Sequence, residues 1–359
     1  MIIREFANFV NESSALELHY YSFDWDDNIL HMPTVIHMDK LVDGEWVPND
    51  VSTSEFAQVR NNKDEWRLRD NDPDKAFSDF RDWNQFLDDV KIALQKGSQG
   101  PAWDAFMECL EEGAIFSIIT ARGHEPGSIR QGVEWVIDNE LNDEQKNLLY
   151  NNCMKHAYIF AHDEEFDRIW NGKLTETPLV KTYLDHCDYY GVSSEWFAKN
   201  FSEASASNPE AAKEAALERF IHKCNEFGHK VGAKSVSLGF SDDDPGNVEH
   251  VRTYFKEKSA LFNTLSQHDV KFNLYDTTDR NIRGGVRDKI HPELVDENKA
   301  PGMESSIMPY TQFNNMGDKY FPADTSGIGR GNHQLKRGAK FISKQSDSDW
   351  LPSELKKKQ

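Results

Sequence analysis

Short apolar runs alternate with amphipathic segments along most of the chain. The runs have the length and the aromatic and β-branched content of buried strands, and they cover residues 20–23, 114–119, 235–240 and 270–275. Segments of helical periodicity lie between them, and the one that starts at Asn208-Pro209 opens with a capping residue and a first-turn proline. This alternation predicts an α/β fold with a Rossmann-like parallel sheet.

A long segment separates the first apolar run from the second. Asp43-Gly44 lies between two strand-like stretches in it, and this dipeptide is typical of a β-hairpin. Residues 52–96 then carry charged, aromatic-rich helical patterns, which break near Pro73. We therefore expect a cap insertion of helices and a β-hairpin at about 31–100, overhanging the end of the first strand.

A second long segment follows the second apolar run. Helical patterns cover residues 126–140 and 142–154, and acidic clusters come after them. One cluster, Asp-His-Cys-Asp at 185–188, is interpreted as a solvated face because the whole chain is acidic. We expect another insertion at about 124–207, so that the main domain and both insertions cover 19–290.

The two ends of the chain differ in pattern from the domain. The N-terminal segment 1–18 has four apolar residues at helical spacing, which are Ile3, Phe6, Phe9 and Val10. They predict a short amphipathic helix that either packs on the domain or docks on a partner. Residues 291–359 are rich in Gly, Pro, Asn and Ser, which predicts an extended, partly disordered tail. The tail ends with a basic stretch at 330–359.

The chain as a whole is acidic. Its 359 residues include 61 Asp and Glu against 41 Lys and Arg, a formal net charge of −20. Such a surface repels the phosphate backbone, which disfavours nucleic-acid binding except at a terminal phosphate or through the basic tail. We expect no membrane span and no secretion, hence a cytoplasmic protein. The cysteines are widely spaced, as is typical of buried reduced thiols: Cys109, Cys153, Cys187 and Cys224.

Polar side chains follow three of the predicted strands. They are Asp24 and Asp26 after the first, Thr120 after the second, and Asp242, Asp243 and Asp244 after the third. The carboxyl ends of parallel strands meet at one edge of a sheet, which is where open α/β sheets bind ligands. Paired carboxylates can hold a divalent cation, attack phosphorus and transfer a proton, and a hydroxyl can bind a phosphate oxygen. Each group taken alone is more typical of an ordinary turn than of a binding site.

Three segments together resemble the motifs of the haloacid-dehalogenase-like (HAD) superfamily of phosphohydrolases. Residues 23–30 (FDWDDNIL) are similar to its first motif, 118–122 (IITAR) to its second and 239–244 (GFSDDD) to its fourth. The resemblance covers roughly residues 19–285 and implies a HAD-like fold. Asn28 stands where the first motif usually has Thr or Val, a departure that we expect to be tolerated because this side chain does not react.

The resemblance also implies a role for each candidate residue. Asp24 would be the nucleophile that forms an aspartyl-phosphate, and Asp26 the general acid and base. Thr120 would hold a phosphate oxygen, and Lys213 would neutralise charge on the phosphoryl group and on Asp24. Mg²⁺ would be bound by Asp24, the backbone carbonyl of Asp26, and Asp242, with Asp243 close by or acting through water. The third motif is a single lysine, so three others compete with Lys213: Lys181, Lys230 and Lys234.

These roles describe a Mg²⁺-dependent phosphomonoester hydrolase. Its expected substrate is a small phosphorylated metabolite, a nucleotide or a polynucleotide end, because insertions on both sides of the second motif restrict access. Transfer of the phosphoryl group to an acceptor other than water, as in mutases, is an alternative.

The N-terminal segment supports a different alternative. Residues 1–14 resemble the prohead-targeting leaders on internal proteins of large contractile-tailed phages. This resemblance implies a structural or packaged virion protein, with phosphatase activity incidental or lost. Its partner would be the phage head or another protein, and its location the host cytoplasm or the virion.

Overall fold

A computed structural model of the protein describes residues 16–160, 176–201, 209–265 and 268–290. The predicted N-terminal helix and the predicted C-terminal tail lie outside these residues. Within them, no helix has both the length and the apolar character needed to cross a membrane.

The described strands form one large and one small sheet. In chain order they are β1 (Glu17–Phe23), β2 (Met38–Val42), β3 (Glu45–Pro48), β4 (Trp66–Leu68), β5 (Phe116–Thr120), β6 (Asp188–Gly191), β7 (Ser235–Asp242), β8 (Asp269–Asp276) and β9 (Val286–Ile290). The large sheet has the order β6-β5-β1-β7-β8-β9, and its neighbours are parallel except for β8 and β9. The predicted α/β class is thus confirmed, with a mostly parallel sheet compatible with a Rossmann-like fold.

The helices lie mainly between the strands of the large sheet. They are α1 (Thr53–Val59), α2 (Pro73–Ala76), α3 (Phe86–Gln95), α4 (Trp103–Glu111), α5 (Pro126–Asn139), α6 (Asp143–Phe160), α7 (Glu176–Asp185), α8 (Glu195–Asn200), α9 (Pro209–Val231) and α10 (Pro245–Leu265). The helices predicted from periodicity over 126–140 and 142–154, and the one predicted to begin at Asn208-Pro209, are confirmed within the described residues. Helix α9 packs on β5, β7 and β1, which are the three strands that carry the candidate residues.

Burial along the central strands follows the predicted pattern. Every residue of β5 is buried, as expected for a parallel strand covered on both faces. Along β1, burial alternates at first and becomes continuous at Ser22 and Phe23, where the strand reaches the polar residues that follow it. The four cysteines are buried and free, as predicted.

The small sheet has the strand order β3-β2-β4 and lies within the segment between β1 and β5. Its hairpin turn is the predicted Asp43-Gly44 pair, whose φ angles of 51° and 85° suit a tight two-residue turn. A separate apolar cluster supports it, made of Ile36, Met38, Val51 and Phe80. Strand β4 lies in a stretch that the periodicity indicated to be helical, so that part of the prediction is wrong.

Two other strands were not predicted. Strand β6 pairs with β5 at one edge of the large sheet, and β9 pairs with β8 at the other. Both are short and carry polar residues, so the sequence pattern lacks the apolar run that marked β1, β5 and β7.

The 185–188 stretch is not the solvated face that the sequence suggested. His186 and Cys187 are buried. Asp185 forms an ion pair with Arg130, and Asp188 forms one with Lys223. Asp185, the last residue of α7, and Asp188, the first residue of β6, are therefore half-buried partners of helix side chains.

Candidate functional site

Three adjacent strands bring the candidate residues to one edge of the large sheet. Asp24 directly follows β1, Thr120 is the last residue of β5 and Asp242 is the last residue of β7. Strand β1 lies between the other two, and its last residue, Phe23, is in register with Ile118 and with Ser241. The parallel pairing therefore places the three strand ends side by side, as the sequence predicted.

Lys213 connects two of these strand ends. Its Nζ atom donates to Asp24 Oδ1 at 2.8 Å and to Asp242 Oδ2 at 3.0 Å. The lysine is buried, and it lies in the second turn of α9. Burial disfavours its charged form, yet Asp24 and Asp242 outweigh that effect and raise the pKa of Lys213 above its ordinary value.

The competing lysines occupy other places. Lys230 lies in the last turn of α9, at the end opposite Lys213. Lys234 immediately precedes β7, and its backbone N–H donates to Leu16 at the amino end of the sheet. Lys181 lies in α7, where its carbonyl accepts a hydrogen bond from Arg130.

Three carboxylates surround the contact with Lys213. Oxygens of Asp24, Asp242 and Asp243 lie within 4.8 Å of one another. Burial raises the pKa of Asp24 to about 8; Lys213 opposes this, and Asp242 and Asp26 add repulsion. Burial raises the pKa of Asp243 to about 9, and repulsion from Asp24 and Asp242 adds to the effect. One ammonium thus faces three carboxyl groups, so the cluster favours additional positive charge.

The cluster fits a hard divalent cation. Its donors are all carboxylate oxygens, which suit Mg²⁺ and similar ions rather than soft metals. Asp242 is oriented by the Asp244 backbone N–H at 2.9 Å and by the Asn247 side-chain amide at 3.1 Å. Such outer contacts fix a ligating carboxylate in place.

Asp26 lies beside this cluster but has different partners. Thr120 Oγ1 is 3.2 Å from Asp26 Oδ2, so two predicted site residues meet as expected. Arg122 forms a two-point contact with the same carboxylate: Nε is 2.8 Å from Oδ2 and Nη2 is 2.6 Å from Oδ1. The sequence analysis gave Arg122 no role, although it follows Thr120 by two residues in the motif-like IITAR segment.

Asn28 has more contacts than the sequence analysis assigned to it. Its amide nitrogen donates to the Asp24 carbonyl at 2.9 Å and to Ser241 Oγ at 2.9 Å, and its amide oxygen accepts from Thr277 at 2.8 Å. The side chain is fully buried. Asn28 therefore joins the loop after β1 to the end of β7 and to the segment after β8, and it holds the backbone that carries Asp24.

Helix α1, which lies between β3 and β4 in the chain, and the residue after it reach the rim of the site through two side-chain contacts. Thr53, the first residue of α1, donates to Asp27 at 2.6 Å. Arg60, which follows α1, pairs with Asp244 at 2.9 Å. Asp27 has a φ of 56°, and His31 contacts its other carboxylate oxygen at 2.7 Å. The segment between β1 and β5 thus borders the candidate site.

A cavity of about 250 Å³ lies elsewhere, on the face of the large sheet near Tyr21, Ser237, Asn273 and Tyr275. Its polar side chains are paired with one another: Tyr21 contacts Glu112, and Arg287 donates to Asn273. The candidate residues at the strand ends do not line it.

The geometry is suited to chemistry at an anionic centre. Three features lie together at the carboxyl ends of the strands. They are a buried carboxylate with a lysine beside it, a carboxylate cluster that fits a cation, and a second carboxylate held by Thr120 and Arg122. No protein-family model, curated protein or solved structure matches the chain.

Proposed function

We propose that the protein is a Mg²⁺-dependent phosphomonoester hydrolase of the HAD type. The observation that carries this proposal is the pairing of Lys213 with both Asp24 and Asp242 inside a cluster of three carboxyl groups. A buried cluster with excess negative charge and strongly perturbed pKa values is typical of functional sites. The cation and the phosphoryl group that the proposal adds to this cluster complement each other in charge.

In the proposed reaction, an Asp24 oxygen attacks phosphorus while the bond to the ester oxygen breaks. Asp26 gives its proton to that leaving oxygen, and an aspartyl-phosphate and an alcohol result. Asp26 then takes a proton from water, whose oxygen attacks phosphorus. The bond to Asp24 breaks, and inorganic phosphate and the free carboxylate are formed. Asp26 acts as a general acid in the first half-reaction and as a general base in the second, so it ends in its starting protonation state.

Charge on the transferring group is neutralised mainly by preorganised cations. Lys213 is already held beside Asp24, so it can contact a phosphoryl oxygen without a large movement. Mg²⁺ would be held by Asp24, Asp242 and the Asp26 carbonyl, with Asp243 close by, and would supply further positive charge to the phosphoryl oxygens. The Thr120 hydroxyl donates to Asp26 in this structure; with substrate bound it would donate to a phosphoryl oxygen instead, while Arg122 continues to hold Asp26.

The proposed substrate is a small phosphorylated metabolite, a nucleotide or a polynucleotide end. The net charge of −20 disfavours long nucleic acids. Contacts from Thr53 and Arg60 bring helix α1, within the segment between β1 and β5, to the rim, which supports a restricted opening. We further propose that the segment with the small sheet acts as a cap.

The test is phosphate release from p-nitrophenyl phosphate and from a panel of nucleotides and sugar phosphates, with Mg²⁺ or EDTA. Wild type should be active with Mg²⁺ only, and Asp24→Asn should be inactive. Asp39→Asn is the matched control, because Asp39 is equally buried but pairs with Arg67 and Arg69 in the small sheet. It should retain activity. A wild type that releases no more phosphate than Asp24→Asn would contradict the proposal and favour the virion-protein alternative.

A further inference from the structure

Arg122 is a fully buried charged side chain next to the candidate site. Its exposed fraction is 0%, whereas the side chain of Asp26, which it contacts, remains 13% exposed. The Asp26 carboxylate is therefore the solvent-facing partner of the pair, and the guanidinium is the enclosed one. Arg122 is thus placed to orient Asp26 from the enclosed side.

The contact between Arg122 and Asp26 fixes the orientation of the Asp26 carboxylate as well as balancing its charge. Nε and Nη2 of Arg122 bind the two oxygens of Asp26 as a planar fork, at 2.8 and 2.6 Å. Two-point pairing of this kind fixes the plane of a carboxylate, which a lysine ammonium cannot do. Thr120 adds a third contact to Oδ2 at 3.2 Å. Asp26 is consequently limited to a narrow range of orientations.

Residues from the segment between β1 and β5 hold Arg122 in turn. Nη2 donates to Thr34 Oγ1 at 2.7 Å, and Thr34 donates to Asp89. The aromatic rings of Phe80 and Phe86 lie 4.7 and 5.5 Å from the guanidinium carbon. Four side chains far from Arg122 in sequence therefore determine where its fork points.

The fork of Arg122 is directed at the one carboxylate that, under the proposed function, must meet the substrate at a defined angle. The remaining guanidinium nitrogen, Nη1, is buried and has no hydrogen-bond partner among the described residues.

We propose that Arg122 is the positioning residue for Asp26, and that Thr34 and Asp89 set its orientation. The inference rests on the proposed function, because it concerns proton transfer to the leaving group. Without Arg122, the Asp26 carboxyl group would still be present but would no longer be held toward the leaving oxygen. Transfer of the phosphoryl group to Asp24 would then depend on how well the leaving group departs without a proton.

The test compares two substrates that differ in this requirement. The leaving group of p-nitrophenyl phosphate, p-nitrophenolate, is a stable anion and departs without protonation. The leaving group of ethyl phosphate, ethoxide, needs a proton as it departs. The measured quantity is kcat/KM, because it reports the steps up to formation of the aspartyl-phosphate and not its later hydrolysis. For Arg122→Ala with Mg²⁺, kcat/KM should fall by about 10²–10⁴ on ethyl phosphate, the usual size of general acid catalysis. On p-nitrophenyl phosphate the fall should be under about tenfold.

Three further variants separate positioning from structure. Arg130→Ala removes another buried arginine that is paired with carboxylates, Glu134 and Asp185, and it should lower kcat/KM equally, if at all, on both substrates. Arg122→Lys keeps the charge but should retain the leaving-group dependence of Arg122→Ala. Thr34→Val keeps the side-chain shape and should show a weaker loss of the same kind, which provides a test even if Arg122→Ala fails to fold. Millimolar guanidinium should restore part of the ethyl phosphate activity of Arg122→Ala.

The outcomes are distinguishable. Equal losses on both substrates for Arg122→Ala and Thr34→Val, with wild type active, would overturn the positioning role and leave the proposed function intact. A wild type that is inactive on both substrates would overturn the proposed function and the role of Arg122 together.

Discussion

Lys213 lies 2.8 Å from Asp24, although 189 residues separate them in the chain. Their contact depends on α9 packing across β1 and β7, so it forms only in the folded protein. Asp242 receives the second contact of the same ammonium. The candidate nucleophile and one candidate metal ligand thus share one counter-ion.

The first prediction concerns this shared charge. Lys213→Met should lower kcat/KM by about 10²–10³, the usual effect of removing one preorganised donor to a transition-state anion. Phosphate release at saturating Mg²⁺ is the measurement, with circular dichroism to verify folding. Lys223→Met is the control, because Lys223 also pairs with an aspartate, Asp188, but lies away from the strand ends. Activity of Lys213→Met within about tenfold of wild type would contradict the proposed role.

The second prediction concerns pH and metal removal. In the metal-free protein, the pKa values of Asp24 and Asp243 are raised to about 8 and 9, whereas 3.8 is the ordinary value for an unfolded chain. Between these values the folded state binds more protons than the unfolded state, so its free energy of unfolding should fall as pH rises. Mg²⁺ competes with those protons, and its stabilising effect should therefore be larger near about pH 8 than near about pH 5.

Thermal unfolding at the two pH values, with Mg²⁺ and with EDTA, measures this effect. Asp243→Asn should reduce both the pH dependence without metal and the stabilisation by Mg²⁺. Asp104→Asn, which changes an exposed aspartate paired with Arg283, should alter neither. A Mg²⁺-induced shift in Tm that is the same at both pH values in wild type would refute the linkage.

The third prediction concerns Asn28. Asn28→Ala should lower the free energy of unfolding by about 2–4 kcal/mol, because buried groups on Asp24, Ser241 and Thr277 lose a hydrogen-bond partner. Urea unfolding measures the change. Asn139→Ala removes an exposed side chain that donates to the Trp135 carbonyl in its own helix, and it should cost less than about 1 kcal/mol. If the two variants lost similar stability, the bridging role of Asn28 would be excluded.

The fourth prediction concerns Gly191, at the end of β6. A Cβ atom at this position would lie 2.3 Å from the His124 carbonyl oxygen and 2.9 Å from that of Arg122. Gly191→Ala should therefore displace the loop that carries Arg122 and reduce kcat/KM on ethyl phosphate more than on p-nitrophenyl phosphate. Gly44→Ala is the control: its φ of 85° makes the substitution strained, but the position is open, so stability should fall without this change in activity. Unchanged activity of a folded Gly191→Ala would argue against this role of the loop.

The strand ends were predictable because they depend on local pattern. Apolar runs identified β1, β5 and β7, and parallel pairing then required Asp24, Thr120 and Asp242 to meet at one edge. Lys213 was predictable only as one of several lysines, since its selection depends on how α9 packs. Arg122 could not be assigned a role, because its contact with Asp26 and its support from Thr34 join residues 88 or more positions apart. Strands β4, β6 and β9 lack long apolar runs, and pairing with neighbours defines them.

Phe80 belongs to the apolar cluster of the small sheet, and its ring also packs on the guanidinium of Arg122. In evolutionary terms, Phe80 and the other residues of this cluster are therefore not equally free to change. The small cluster is separate from the main core, so most of its positions can change with little effect on the large sheet. Phe80 is the exception, because a change in its size or shape would move the Arg122 guanidinium and, with it, the Asp26 carboxylate.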